Sequence, residues 1–296
     1  MGAALALAAL SAVLHATWNL AGKRGGGGQA SLAFFIAAES CAALLMLAAL
    51  PWAVPRVAGW PGWCWGLLAA SCALQAGSYI CIAAAYRRAD LSASYPLIRA
   101  LPALALTLGG GLLGWRDPGA VAIGGAAVLA TGGLLIPLPG WSAWRRLGGG
   151  LGDPAVLGAA LCICGYGITD AVLVREARQS AGEAAAPALA CLMATGNSLL
   201  GWLAVATIPV ERTRVATLRG SWRRAGLTGL GIWLSYGVML AALALSTHPG
   251  PPTAMRQLAI PLAAILGVLV LKEGATMPRW LGVGLIAVGV ALTALG

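Results

Sequence analysis

Apolar stretches of helix length alternate with short polar breaks along nearly the whole chain. A bilayer core about 30 Å thick needs roughly 20 consecutive apolar residues to be crossed by a helix, and the stretches have about that length. The pattern therefore predicts an all-α membrane protein with ten transmembrane helices. These run over 3–22, 31–50, 62–85, 94–114, 119–138, 154–174, 184–208, 225–245, 252–271 and 278–295.

The composition fits a chain that uses lipid as its main solvent. Apolar residues make up 59% of the 296 residues and charged residues only 9%, whereas soluble domains carry about 25% charged residues. The 42 glycines suit membrane helices, because small residues let helix backbones approach closely. The first segment lacks a cationic start and contains His15, Trp18 and Asn19. We therefore expect it to be a retained membrane helix and not a cleaved signal peptide.

Basic residues in the short breaks between apolar segments account for most of the net charge of +10. This placement is typical of residues that set membrane orientation, so we expect no nucleic-acid partner. One face of the predicted bundle receives only Arg56, Arg116, Arg175 and Arg178, and the other receives the remaining loop arginines and lysines. The more basic face is normally cytoplasmic, which would place both termini outside.

No sequence motif predicts a metal site, a cofactor or a catalytic centre. The seven cysteines fall in or beside apolar segments, and their spacing matches no zinc site. The sequence also lacks a Walker-type phosphate loop, so we expect no ATP hydrolysis by this chain. An intramembrane enzyme would need a cluster such as His-Glu-x-x-His or paired aspartates. Enzymatic activity is therefore the least favoured of the functions considered.

Ten helices divide into two sets of five, and a set of five ends on the membrane face opposite to its start. A second copy would then insert upside down, as in many secondary transporters. At an offset of 157 residues, Tyr79 falls on Tyr236 and Arg99 on Arg256, together with several glycine matches. We therefore predict two inverted five-helix repeats. Their bounds are 1–138 and 154–296, with a linker at 139–153.

Glu39 lies near the middle of the second apolar segment. An ionisable residue inside a membrane helix is costly and marks a functional site by default. A carboxyl group removed from water can take up and release a proton, so Glu39 is our candidate for proton coupling. The alternative is a structural pair with His15, Lys23 or an arginine that ties helices together.

The first helix carries three further candidates for contact with a solute. His15, Trp18 and Asn19 have i, i+3 and i+4 spacing and so share one helix face. An imidazole, an indole and an amide on one face are suited to lining a polar cavity. The alternative is that this face packs inside the bundle and bonds to neighbouring backbone.

Arg99 and Arg256 each follow a proline near a predicted helix start. The positive end of a helix dipole and a guanidinium group together attract a carboxylate or a phosphate. Gln257 adds an amide, and Tyr79 and Tyr236 each offer an apolar ring with one hydroxyl group. All five are candidate substrate-binding residues. The alternatives are interfacial anchoring for the arginines and core packing for the tyrosines.

The chain resembles the EamA family of the drug/metabolite transporter (DMT) superfamily. The resemblance lies in LSAVLHATWNLAGKR, AAAYRRADLSASYPLIRALPALALTLGGGLLG and AMRQLAIPLAAILGVLVLKEGATMPRWLGVGLIAVGVALTAL. It implies ten helices in two inverted repeats around a central cavity, in the cell (inner) membrane, with both termini in the cytoplasm. It also implies transport of small metabolites, often amino acids or related compounds. One departure is Gly114-Trp115-Arg116-Asp117, where the family usually ends its fourth helix with a Gly-Glu pair.

The function predicted from these features is secondary transport across the cytoplasmic membrane, with export favoured over uptake. A small-molecule substrate would move by alternating access around the central cavity. The alternative within the same fold is a translocator of a lipid-linked, amphipathic or drug-like solute, which would need a wider cavity that opens to lipid. We expect a monomer or homodimer in the lipid bilayer, without a cofactor.

Overall fold

The computed structural model describes residues 2–25, 31–88, 98–99, 102, 119–143, 153–272 and 274–295. Within these ranges the chain is almost entirely helical and contains no strand. The α-helices are α1 Gly2–Gly25, α2 Leu32–Leu47, α3 Leu50–Val57, α4 Gly62–Arg88, α5 Ala120–Leu135, α6 Pro154–Ala181, α7 Ala185–Thr207, α8 Pro209–Arg214, α9 Trp222–Ala244, α10 Gly250–Arg256, α11 Ala259–Leu271 and α12 Met277–Leu295. Short 3₁₀ segments lie at Trp141–Ala143, Gly182–Ala184 and Val215–Gly220.

Several of these helices are long and apolar enough to cross a membrane. Within the described ranges, five stretches meet that condition by length and composition, or six if the bent pair α2–α3 is one span. Two further apolar helices, Gly2–Trp18 and Ala120–Leu135, are shorter. The all-α class is therefore confirmed for the described residues, and the apolar helices are consistent with a membrane protein. The predicted fourth helix, 94–114, lies almost wholly outside the described residues.

One of the five stretches, Pro154–Thr207, is 54 residues long and contains both α6 and α7. In one continuous helix, Asp170 and Asn197 would lie about 40 Å apart at 1.5 Å per residue. Instead a short chain of side-chain hydrogen bonds through Gln75 and Tyr236 joins them. Gly182 between the helices has φ +55°, which favours glycine. The chain therefore turns back at Gly182, and α6 and α7 run antiparallel.

Two predicted helices are interrupted, and in each case a proline explains the position of the break. A proline cannot donate to the carbonyl four residues earlier and clashes with it. Pro51 lies four residues after Leu47, where α2 ends, and α3 continues at 81° to it. Pro261 lies four residues after Gln257, where a turn separates α10 from α11. The predicted segment 252–271 contains a turn at 257–258, although Gly250–Val270 still has the length and composition of one membrane span. The helix predicted over 31–50 ends at Leu47.

Glycine contacts hold α5 against α12. A Cβ atom added at Gly132 would lie 2.7 Å from the carbonyl oxygen of Gly282, and one at Gly282 would lie 2.6 Å from that of Gly132. A Cβ atom at Gly289 would lie 2.6 Å from the carbonyl oxygen of Gly125. Such backbone-to-backbone packing needs glycine at each crossing point.

Two other helix pairs are built from reciprocal contacts between small side chains. In α1 and α9, the Ser11 hydroxyl donates to the Ser235 carbonyl at 2.7 Å, and the Ser235 hydroxyl donates to the Ser11 carbonyl at 3.1 Å. In α4 and α6, Gly77 packs on the Cys162 sulfur, and Gly158 packs on the Cys81 sulfur. The main apolar core lies between α2, α7 and α9, with Ile36, Leu189, Trp233 and Leu240 fully buried.

The polar segment 209–224, which contains five arginines, is largely helical. It contains α8 and a 3₁₀ segment, and Glu211 is buried. One carboxylate oxygen of Glu211 accepts a hydrogen bond from the Ala33 amide at 3.2 Å, and the other lies 3.4 Å from Arg214. A carboxylate at the amino end of α2 stabilises that helix, since the backbone amides there have no partner within the helix.

The glycine crossing of α5 and α12 can be tested with two neighbouring substitutions. A Cβ atom at Gly125 would lie 2.6 Å from the Thr293 backbone nitrogen, whereas one at Gly124 would meet nothing within 4 Å. We expect Gly125→Ala to lower the free energy of unfolding by about 1–3 kcal/mol, because the helices must separate. Gly124→Ala, the matched control, should leave it unchanged or raise it slightly. Thermal unfolding in detergent measures both, and equal effects would contradict the packing described here.

Candidate functional site

A small cavity lies inside the bundle, between α1, α6, α9 and the α10–α11 break. Its volume is about 50 Å³, enough for a few water molecules. Its described lining residues are His15, Arg99, Pro102, Ile163, Tyr166, Gly167, Asp170, Tyr236, Met239, Leu240, Leu243, Thr253, Arg256, Gln257, Ala259 and Ile260. The apolar members come mainly from α9 and α11, while ionisable groups converge from several elements.

Five of the sequence-predicted site residues line this cavity: His15, Arg99, Tyr236, Arg256 and Gln257. They come from both halves of the chain and lie far apart in sequence. The Arg256 guanidinium carbon lies 5.6 Å from the centre of the Tyr236 ring, a cation–π distance. Both guanidinium groups also lie near enough to His15 to act on it electrostatically. The cavity therefore carries a concentration of positive charge.

Arg256 does not lie in the first turn of a long helix, as the sequence predicts. It is the last residue of the short helix α10, and the break at Gln257 follows directly. Ala259 and Ile260, the first residues of α11, also line the cavity. Arg256 and the positive amino end of α11 thus meet at one place because Pro261 interrupts the helix.

Asp170 on α6 is the acidic group of the described cavity lining, and its side chain is 2% exposed. One carboxylate oxygen accepts a hydrogen bond from the Ser71 hydroxyl at 2.5 Å, and the other accepts one from the Tyr236 hydroxyl. The Tyr236 oxygen in turn accepts from the Gln75 amide at 3.1 Å, and Gln75 accepts from the Asn197 amide at 2.8 Å. This network joins α4, α6, α7 and α9.

Glu39 and Tyr79 form a separate pair and are not among the cavity lining residues. The Tyr79 hydroxyl donates to Glu39 at 2.6 Å. Glu39 is 1% exposed, and its second carboxylate oxygen has no hydrogen-bond partner among the described residues. The hydrogen-bond partner of Glu39 among the described side chains is thus a tyrosine. The ring of Phe35 stacks on that of Tyr79 with centres 5.9 Å apart, so an apolar side chain covers the Glu39–Tyr79 pair.

Trp18 supports the cavity wall from behind and does not line it. Its ring meets that of His15 edge to face, with centres 4.9 Å apart, and its Cβ packs against Gly231 on α9. Trp18 therefore positions the imidazole and fills the space between α1 and α9. The side chain of Asn19, the third predicted residue of that face, lies outside the described part of the structure.

The structure also brings together Asp170, Asn197, Ser71 and Gln75. Asp170 and Asn197 are weaker candidates from the sequence, whereas Ser71 and Gln75 were not predicted. The hydrogen-bond partners of Asp170 are Ser71 and Tyr236 and not the nearby arginines of the same helix, Arg175 and Arg178. A signal was present, since Ser71 and Gln75 are one turn apart on an otherwise apolar helix and share a face. Their partners come from distant segments that no local pattern connects. Among the described residues, no group of three histidine, cysteine or acidic side chains could hold a metal ion.

Comparison with known proteins supports the fold and leaves the function open. No protein-family profile matches the chain, and no protein of curated function matches it. A protein of known crystal structure is similar over 100% of this chain and 97% of its own, with a TM-score of 0.68 and 16% sequence identity. At that identity the likeness extends to the overall fold alone, which the two proteins share along their whole length.

Proposed function

We propose that the chain is a secondary transporter of the EamA type that moves a small polar metabolite across the cell membrane by alternating access. The observation that carries this proposal is the internal cavity, where two arginines and an aspartate from different helices meet. Charged groups are expensive inside an apolar bundle and are kept where they serve a pathway or a binding site.

The arrangement of helices supports an inverted repeat within this proposal. Helix α1, the first of the first half, packs on α9, the third predicted span of the second half. The corresponding pair with the halves exchanged is α4, the third span of the first half, and α6, the first of the second half, and these two helices also pack together. Gly125 and Gly132 of α5 lie 157 residues before Gly282 and Gly289 of α12. The close contacts pair Gly132 with Gly282 and Gly125 with Gly289, so exchanging the two repeats turns each contact into the other. A pseudo-two-fold axis in the membrane plane would produce these exchanges. Carriers with that symmetry bind their substrate where the repeats meet.

The size and lining of the cavity favour a small polar solute over a lipid-linked or drug-like one. A cavity of about 50 Å³ whose lining includes Arg99, Asp170 and Arg256 suits a small charged group. Amino acids and related metabolites, the substrates that the family resemblance implies, have groups of this kind. An amphipathic solute would instead call for a wide apolar cavity open to lipid.

Transport and its dependence on the cavity can be tested together in proteoliposomes with a panel of labelled small metabolites. We expect wild-type protein to exchange at least one acidic member of the panel. Arg256→Gln should reduce that exchange by about tenfold or more, because a charge-assisted hydrogen bond to an anion is worth about 1.5–3 kcal/mol. Arg223→Gln, at an exposed position of α9, is the matched control and should exchange at the wild-type rate. A wild-type protein that exchanges no member of the panel would contradict the proposal, and equal rates for the two variants would remove Arg256 from the site.

Glu39 is the proposed proton-coupling group, although it lies outside the cavity. Its carboxyl group is buried, receives one hydrogen bond from Tyr79, and lies on α2, which packs on α7 and α9 of the other half. A change in its charge would change the energy of burial at this contact between the halves. Proton uptake could therefore favour one packing of the halves over the other.

Glu39→Gln is expected to remove accumulation driven by a proton gradient while exchange at equal pH on both sides continues. The amide keeps the hydrogen bond from Tyr79 but cannot carry a proton across. Glu183→Gln, at an exposed position between α6 and α7, is the control. Comparing uptake with and without an imposed pH difference gives the result. Gradient-driven accumulation that persists in Glu39→Gln would exclude Glu39 as the coupling group.

A further inference from the structure

Glu39 is the proposed coupling group, yet its carboxyl group is not part of the cavity lining. The side chain is 1% exposed, and one of its oxygens accepts a hydrogen bond from the Tyr79 hydroxyl at 2.6 Å. A carboxyl group so fully buried exchanges protons through neighbouring groups that both donate and accept them, such as hydroxyls. Tyr79 is therefore the first step of a route that leads from Glu39 toward the cavity.

The hydroxyl of Tyr79 lies near the cavity wall. Arg99, which lines the cavity, is close enough to this hydroxyl to act on it electrostatically. Tyr79 thus has Glu39 on one side and a lining residue of the cavity on the other.

Tyr166 on α6 lies between two tyrosines that occupy corresponding positions in the predicted repeats. It lines the cavity and is close enough to both Tyr79 and Tyr236 to act on each of them electrostatically. Each of these two tyrosines donates its hydroxyl to a buried acid, Tyr79 to Glu39 and Tyr236 to Asp170. The three phenol groups therefore connect the cavity with both acids.

The other ionisable groups near this route do not replace Tyr166. Those that act electrostatically on Tyr79 are Glu39, Tyr166 and Arg99. Glu39 is the group to be reached, and an arginine keeps its proton in proteins. Cys72 lies within electrostatic reach of both buried acids but is not a lining residue of the cavity. Tyr166 is thus the described group that is able to join the cavity to Tyr79.

We infer that Tyr166 passes protons between the cavity and Glu39. Tyr79 gives its hydroxyl proton to the Glu39 carboxylate and takes one from Tyr166, directly or through one water molecule. Tyr166 in turn takes a proton from a hydronium ion in the cavity, which is left as water. Each phenol loses one proton and gains one, so both stay neutral, and the reverse sequence releases the proton. This inference rests on the proposed coupling role of Glu39 and supplies its route to the cavity.

Protonation of the two acids can be followed by time-resolved infrared spectroscopy of the purified protein in nanodiscs after a rapid drop in pH. The carbonyl band that Glu39→Gln removes reports on Glu39, and the band that Asp170→Asn removes reports on Asp170. We expect Tyr166→Phe to slow the protonation of Glu39 about a hundredfold, because a positioned proton donor contributes a rate factor of that order. Asp170 lines the cavity itself and should be protonated at the wild-type rate in the same sample.

Thr169→Val is the matched control on the same helix. The Thr169 hydroxyl donates to the Tyr166 backbone carbonyl at 3.0 Å, so this variant removes a hydroxyl group that is not on the route. Both acids should then be protonated at the wild-type rate. Tyr79→Phe interrupts the next step while keeping the ring on which Phe35 stacks. It should slow Glu39 as Tyr166→Phe does, and it provides the readout if Tyr166→Phe does not fold.

Unchanged protonation of Glu39 in Tyr166→Phe would overturn the inference. Equal slowing of Glu39 and Asp170, equal slowing in Thr169→Val, or a wild-type Glu39 band that does not respond to pH would overturn it too. The failure of the proposed function is distinct, since it would appear as proteoliposomes that exchange no member of the metabolite panel. The infrared measurement needs no transported solute and decides the role of Tyr166 in either case.

Discussion

A charged or polar side chain inside this bundle must find its partners within the bundle, because neither lipid nor apolar core can hydrate it. Asp170 satisfies this constraint with two hydroxyl donors on two other helices. Glu39 satisfies part of it through Tyr79. These bonds connect helices that would otherwise meet only through apolar contacts, so the placement of a few polar groups determines which helix faces meet around the cavity.

Glycine and proline place the helices so that these bonds can form. Glycines at the α5–α12 crossing bring backbones into contact and close that side of the bundle. Pro261 interrupts a helix beside the cavity and thereby puts Arg256 and the amino end of α11 in one place. In membrane carriers, interrupted helices of this kind are tolerated where they line a cavity. The same break that costs a backbone hydrogen bond therefore contributes to the site.

The sequence alone predicts the helical elements well, because hydrophobic runs and proline positions are local features. The ends of α4, α7 and α9 lie within a few residues of the predicted ones. The helix breaks before Pro51 and Pro261 follow from the clash of a proline ring with the carbonyl group four residues earlier. The site is less predictable. His15, Arg99 and Arg256 are identifiable as polar exceptions, but the joining of Asp170 to Tyr236 depends on how α6 packs on α9. No pattern within either segment encodes that pairing.

The central claim is that the cavity opens to each side of the membrane in turn. Gln257→Cys, in a chain without its seven native cysteines, places one thiol in the cavity wall. Its reaction with a membrane-impermeant thiol reagent, added to one side of the membrane at a time, measures access from each side. Leu199→Cys, on the outer surface of α7 where the side chain is 68% exposed, is the lipid-facing control and should not react. The account predicts that Gln257→Cys reacts from both sides, and that an excess of transported solute changes the two rates in opposite directions. Reaction from one side only, or from neither, would contradict it.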